Sequence, residues 1–207
     1  MKISPVNNNF YRQNFKANYS KENNVVILGS SKTTPQILQD MALASELTSY
    51  LVQTSGKNVL TGCGSKGIMG AAYYAAAASS KRNEDDKPEQ NAVILKHPLW
   101  GDEDLESCVT LGTADSEAAR IEKFIETADF FVIFPGGPGT MQEASTLISN
   151  NYYNKENKKQ VVLVNSDFFK GLDDQYKQME EKGLLPCKRS ELYTITDDID
   201  SITKVIN

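Results

Sequence analysis

Six consecutive residues, Pro135-Gly136-Gly137-Pro138-Gly139-Thr140, have the composition of a turn that grips an anion. Phosphate bound at the start of a helix needs backbone N–H groups facing outward and side chains small enough to let oxygens approach. Gly136, Gly137 and Gly139 remove the Cβ barrier and permit positive φ, Pro138 stiffens the turn, and Thr140 offers a hydroxyl donor. Each N–H to phosphate bond is charge-assisted and contributes roughly 1.5–3 kcal/mol. The competing use of these residues is a capping box, in which Thr140 accepts from the amide of Glu143 and Glu143 reaches back to the amide of Thr140. Three glycines in four positions exceed what a cap requires, which favours the anion.

A second glycine turn, Gly62-Cys63-Gly64-Ser65-Lys66-Gly67-Ile68-Met69-Gly70, contains the GxGxxG spacing of dinucleotide sites. A nicotinamide dinucleotide also calls for a carboxylate at the end of the next strand, about 20 residues on, to hold the ribose hydroxyls. That strand ends at Leu95-Lys96-His97 and has none. The turn therefore reads as a nucleotide-lining segment or as close helix–sheet packing. Arg120 lies on a helical stretch whose Ile121, Phe124 and Ile125 face the core, where an arginine is ordinarily a solvated surface residue.

The remaining reactive side chains carry little chemistry. A single histidine, His97, and three scattered cysteines, Cys63, Cys108 and Cys187, argue against a His/Cys zinc site and against Ser-His-Asp or Cys-His catalysis. His97 precedes Pro98 and reads as a loop residue, Cys63 as a small buried spacer, and Asp102, Glu103 and Asp104 as a solvated acidic loop. No metal and no cofactor is expected, and no lysine stands out as an anchor for pyridoxal phosphate.

Short apolar runs alternate with helical segments and so supply the scaffold that positions these residues. Val25-Val26-Ile27-Leu28, Asn58-Val59-Leu60, Ala92-Val93-Ile94-Leu95, Cys108-Val109-Thr110-Leu111, Phe130-Phe131-Val132-Ile133-Phe134 and Val161-Val162-Leu163-Val164 read as strands, with Leu192-Tyr193-Thr194-Ile195 as a further edge strand. Helices are expected over residues 35–52, 66–80, 115–127, 141–150, 167–182 and 199–206. This rhythm predicts an α/β, Rossmann-like, doubly wound parallel sheet with helices on both faces, built as a single domain over 23–207. Ligands of such sheets bind beyond the carboxyl ends of the strands, where the order reverses. The polar stretch 1–22 reads as a flexible tail and the charged run 81–90 as a mobile loop.

At 207 residues, 40% hydrophobic and 24% charged, with a net charge of −5, the chain has ordinary globular composition and lacks the basic surface a nucleic-acid partner needs. No apolar run reaches the ~20 residues of a membrane span. Cysteine usage and the absence of a signal-like segment make the cytoplasm the expected compartment, with no membrane partner.

The order Arg120, then Ala128-Asp129-Phe130-Phe131-Val132-Ile133-Phe134, then Pro135-Gly136-Gly137-Pro138-Gly139-Thr140-Met141-Gln142-Glu143 resembles the Lonely Guy (LOG) family. That family is often labelled lysine decarboxylase-like, and its signature is an arginine on a helix, a strand, and PGGxGTxxE. Gly62 to Gly70 is similar to the family's GGGxxGxMG turn, and Gly29-Ser30-Ser31 to its first phosphate-side turn. The resemblance implies hydrolysis of the N-glycosidic bond of a nucleoside 5′-monophosphate, of the cytokinin ribotide or AMP type, by a homodimer. It implies Arg120 and Glu143 as the catalytic pair, with Gly136, Gly137, Gly139, Thr140, Gly29, Ser30, Gly64 and Met69 binding the phosphate or substrate. The chain departs from the family at Ala118 and Ile121, where members usually carry histidine and lysine, and at Cys63 in place of glycine. A nucleotide-binding or sensor protein without turnover is the alternative on the same fold.

Overall fold

The computed structural model describes residues 20–62, 64–81, 91–96 and 110–206. The readings made above for residues 1–19, for most of 81–90, and for Cys63, His97, Cys108, Asp102, Glu103 and Asp104 lie outside the described residues.

Seven strands appear among the described residues: β1 (Asn24–Leu28), β2 (Asn58–Gly62), β3 (Asn91–Lys96), β4 (Thr110–Thr113), β5 (Phe130–Ile133), β6 (Gln160–Val164) and β7 (Thr194–Thr196). All pair in parallel in one sheet, in the order β4-β3-β2-β1-β5-β6-β7. The helices are α1 (Leu38–Gln53), α2 (Gly67–Ser79), α3 (Glu117–Thr127), α4 (Pro138–Tyr153), α5 (Ser166–Glu181) and α6 (Ile199–Ile206).

Successive strand residues point to opposite faces, so each central strand feeds two cores. Val25, Ile27, Val59, Val132 and Val162 pack with α1, α2 and α6 through Leu47, Leu51, Ala72, Ala76 and Ile202. Val26, Leu28, Phe131, Ile133, Val161 and Leu163 pack with α3, α4 and α5 through Phe124, Leu147, Ile148 and Phe169. Covering both faces is why these strands read as continuous apolar runs rather than alternating ones. The fold is thus the doubly wound, single-domain α/β architecture that the sequence predicts.

Winding proceeds outward from β1 in both directions, so the order reverses between β1 and β5. The carboxyl ends of β1, β2 and β5 share one edge, which collects the three glycine-bearing turns.

Several boundaries move. A 3₁₀ turn, Pro35–Ile37, precedes α1, and of the strand expected at 108–111 the part from Thr110 on lies among the described residues, as β4. α4 starts at Pro138, three residues ahead of the expected Met141, because proline is pre-organised for the first helical position. The edge strand is Thr194–Thr196, and Leu192 and Tyr193 enter the core just before it.

Candidate functional site

The three turns are laced together by backbone bonds. The Ser30 amide, just beyond β1, donates to the Pro135 carbonyl at 3.0 Å, tying the first turn to the fifth. The Ser30 carbonyl accepts from the amides of Ile68 at 2.8 Å and Met69 at 3.4 Å, while Thr33 Oγ1 accepts from the Gly67 amide at 3.1 Å. The leading N–H groups of α2 are therefore occupied by protein and are not offered to an anion. Gly67, at φ 62°, makes this closure possible, since a Cβ there would lie 2.3 Å from the Ser30 carbonyl oxygen. Of the two readings left open for the GxGxxG turn, close packing describes Gly67, whereas Gly64 faces the cleft. A pyrophosphate on this helix, as in dinucleotide sites, has no free amides to meet.

The start of α4 is the opposite case. Its N-cap is Gly137, in extended conformation and without a side-chain cap, and the first internal bond runs from the Met141 amide to the Gly137 carbonyl at 3.1 Å. The amides of Gly139 and Thr140 thus lie ahead of the helical ladder, and Pro138 has no N–H to satisfy. A Cβ at Gly137 or Gly139 would meet nothing within 4 Å, and neither residue has positive φ. Nothing among the described residues requires glycine at these two positions, and at Gly139, inside the helix, glycine costs about 0.5–1 kcal/mol relative to alanine. The room their missing side chains leave opens into a cleft of about 590 Å³. Gly136 differs, because a Cβ there would fall 2.2 Å from Thr140 Oγ1. It shapes the turn from behind the cleft wall.

The capping box does not form. Thr140 is the third residue of α4 rather than its cap, and Glu143 turns to a different partner. That partner is Arg120 on α3, a helix capped by Ser116, whose hydroxyl accepts from the Ala119 amide at 3.1 Å. Arg120 Nη2 donates to Glu143 Oε1 at 3.1 Å and to Glu117 Oε2 at 2.9 Å. The Arg120 and Glu143 side chains are only 12% and 7% exposed, against 35% for Glu117. Burial pushes the Glu143 carboxyl up to about 7, reinforced by the Glu117 charge and opposed by Arg120. Gly62 provides the seat for this arginine: a Cβ there would lie 3.6 Å from Nη1 and 2.9 Å from Met69 Sδ. Arg120 Nε is buried and has no hydrogen-bond partner among the described residues.

Gly29, Ser30, Gly64, Met69, Arg120, Gly137, Gly139, Thr140 and Glu143 all line this one cleft, and only Gly136 of the expected set stands behind it. Sequence reasoning missed Lys32, Ser65 and Glu117, which also line it. Glu117 was readable as an i,i+3 partner of Arg120 on a helix. Lys32 gave no signal, because a lone loop lysine has none. Among the described residues no three His, Cys, Asp or Glu side chains gather as metal ligands, and no helix is long and apolar enough to cross a membrane.

The model of a family described as possible lysine decarboxylase matches residues 69–206. No curated protein matches the chain. Among solved structures, the Moco carrier protein from Chlamydomonas reinhardtii superposes with TM-score 0.56 at 17% identity, covering 88% of this chain and 96% of that one. The molybdenum cofactor binding protein from the phototrophic bacterium Rippkaea orientalis gives TM-score 0.55 at 19% identity, covering 88% of this chain and 93% of that one. At such identities the likeness is one of fold.

Proposed function

The chain belongs to the possible lysine decarboxylase family, the group its motifs resemble as LOG-like, and from that premise we propose that it hydrolyses the N-glycosidic bond of a nucleoside 5′-monophosphate. The observation that carries this reading is the Arg120–Glu143 pair, 3.1 Å apart, one helical turn below the leading amides of α4 at Gly139 and Thr140. A phosphate on those amides is favoured by the helix dipole as well as by the N–H groups. The chain P–O5′–C5′–C4′–O4′–C1′ then spans a distance comparable to one turn of α4, about 5.4 Å. This brings the anomeric carbon to the level of Glu143.

The chemistry follows from charge. As the C1′–N bond breaks, its electron pair leaves with the base and positive charge builds on the ribose. The Glu143 carboxylate stabilises that charge in a largely dehydrated site. Water adds to C1′, its proton is released, and the base nitrogen takes up a proton, giving free base and ribose 5-phosphate. Arg120 fixes the direction of Glu143 through the bond from Nη2.

Decarboxylation of lysine is not supported by this cleft. Its lysine, Lys32, is exposed on a loop and does not present the desolvated amine that a pyridoxal phosphate Schiff base requires. A second reading, binding without turnover, is favoured by one observation: Arg120 Nη2 is already shared by two carboxylates. The Chlamydomonas and Rippkaea proteins are described as a carrier and a binding protein on this same fold.

Incubation with a panel of nucleoside 5′-monophosphates and the matching nucleosides, followed by chromatography for free base, tests the proposal. Hydrolysis is expected of the monophosphates and not of the nucleosides, which cannot engage α4. Saturable binding with no base released would favour the carrier reading.

A further inference from the structure

Glu117 lies outside the LOG signature, yet it occupies the centre of the charge arrangement. It is the first residue of α3, and the Ser116 cap holds that helix end in place. Its Oε2 and the Oε1 of Glu143 sit 2.9 and 3.1 Å from one and the same nitrogen, Arg120 Nη2. Two carboxylates this close to a single guanidinium nitrogen compete for it, and they repel each other when both are ionised. We infer that Glu117 is the positioning residue of this site: it holds Arg120 in place and sets the pH at which Glu143 becomes charged.

Among the described residues, the electrostatic surroundings of Glu143 are few. Glu143 is the only charged residue of α4 itself. From α3 it faces Arg120 and Glu117; the loop after β1 contributes Lys32 to the same cleft, and the turn after β2 contributes the uncharged Gly64, Ser65 and Met69. Arg120 alone would draw Glu143 toward the ionised state. Glu117 takes part of that guanidinium and adds a like charge, and both effects favour the proton on Glu143. Glu117 is 35% exposed and keeps contact with solvent, whereas Glu143 is buried and its charge is disfavoured there.

The catalytic consequence rests on the hydrolase reading, because the active form of Glu143 in that reading is the carboxylate. The acid limb of the rate would then be placed by Glu117, a residue that need not touch substrate. In Glu117→Gln the shape and an acceptor for Arg120 are kept, and only the charge is removed.

The deciding measurement is a ¹³C NMR titration of the Glu143 side-chain carboxyl in the ligand-free protein, for the native chain, Glu117→Gln, Glu117→Asp and Glu126→Gln. In Glu117→Gln the midpoint is expected to fall by about 0.5–2 pH units, the range for one unit charge removed at this separation. It should return toward the native value in Glu117→Asp. Glu126→Gln, which removes an exposed charge of the same helix paired with Lys123, should leave the midpoint where it was. An unmoved midpoint in Glu117→Gln, or an equal fall in Glu126→Gln, overturns the inference. The readout needs no turnover, so a chain that hydrolyses nothing would remove the hydrolase reading while the titration still decided the role of Glu117.

Discussion

Arg120 Nη2 and Glu143 Oε1 meet at 3.1 Å, joining α3 to α4 directly beneath the amides that open the cleft. The bond spans 23 residues of sequence, linking the helices before and after β5, and it is the contact on which the proposed chemistry turns. Because it is buried, its protonation state is also a stability term.

Glu143 titrates near 7 in the folded chain, against an ordinary value of 4.5, because burial disfavours its charge. Stability associated with the neutral carboxyl is fully present below about 4.5 and is lost as pH rises through 7. Glu143→Gln, which mimics the neutral form, should therefore match the native chain at pH 4. It should exceed it at pH 8.5 by up to about 3 kcal/mol. Urea unfolding at the two pH values checks the sign, and equal stabilities at pH 8.5 would contradict it.

Gly139→Ala separates ligand space from folding need. A Cβ there meets no atom of the described residues within 4 Å, so stability should be unchanged or rise by about 0.5–1 kcal/mol. Affinity for a nucleoside monophosphate should drop at least about tenfold, or 1.4 kcal/mol, by calorimetry. Unaltered affinity would mean that the anion does not sit on α4.

Gly67→Ala should behave in reverse. At φ 62° and with a Cβ 2.3 Å from the Ser30 carbonyl, the substitution strains the turn that locks α2 to the first loop. A loss of about 2–3 kcal/mol is expected in denaturant unfolding, and Gly70→Ala, 2.3 Å from the Ser65 carbonyl, should resemble it.

These glycines show what was legible in the sequence and what was not. The apolar runs at 25–28, 130–134 and 161–164 announced buried parallel strands, since a sheet covered on both faces leaves no polar side to alternate. In the turn 135–140 the excess of glycine over any capping need announced a helix start without a side-chain cap, with Gly137 and Gly139 lining the cleft. The GxGxxG run did not reveal that its helix amides would be taken by Ser30 and Thr33, because those acceptors come from a loop more than thirty residues away. Glu143 looked like half of a capping box as long as its distant partner was unseen. Starting α4 at Pro138 moves Glu143 down one turn, to where Arg120 can reach it. Side-chain roles set by long-range contacts are absent from local pattern.

In the hydrolase reading the carboxylate is the working form of Glu143. The kcat/KM for a nucleoside 5′-monophosphate should therefore rise with pH through about 7 and level off above it. A pH profile taken with a saturating, constant salt background checks this. A rate that falls over the same range would assign the protonated carboxyl as the working form instead.

The most direct test compares the native chain with Glu143→Gln on AMP and other nucleoside 5′-monophosphates, following free base and ribose 5-phosphate in equal amounts at pH 8. Expected is turnover by the native chain and a kcat lower by about 10²–10³ in the variant, with nucleotide affinity retained. Equal turnover by both proteins, or release of no base by the native chain from any monophosphate, would contradict a glycosidase built on Arg120 and Glu143.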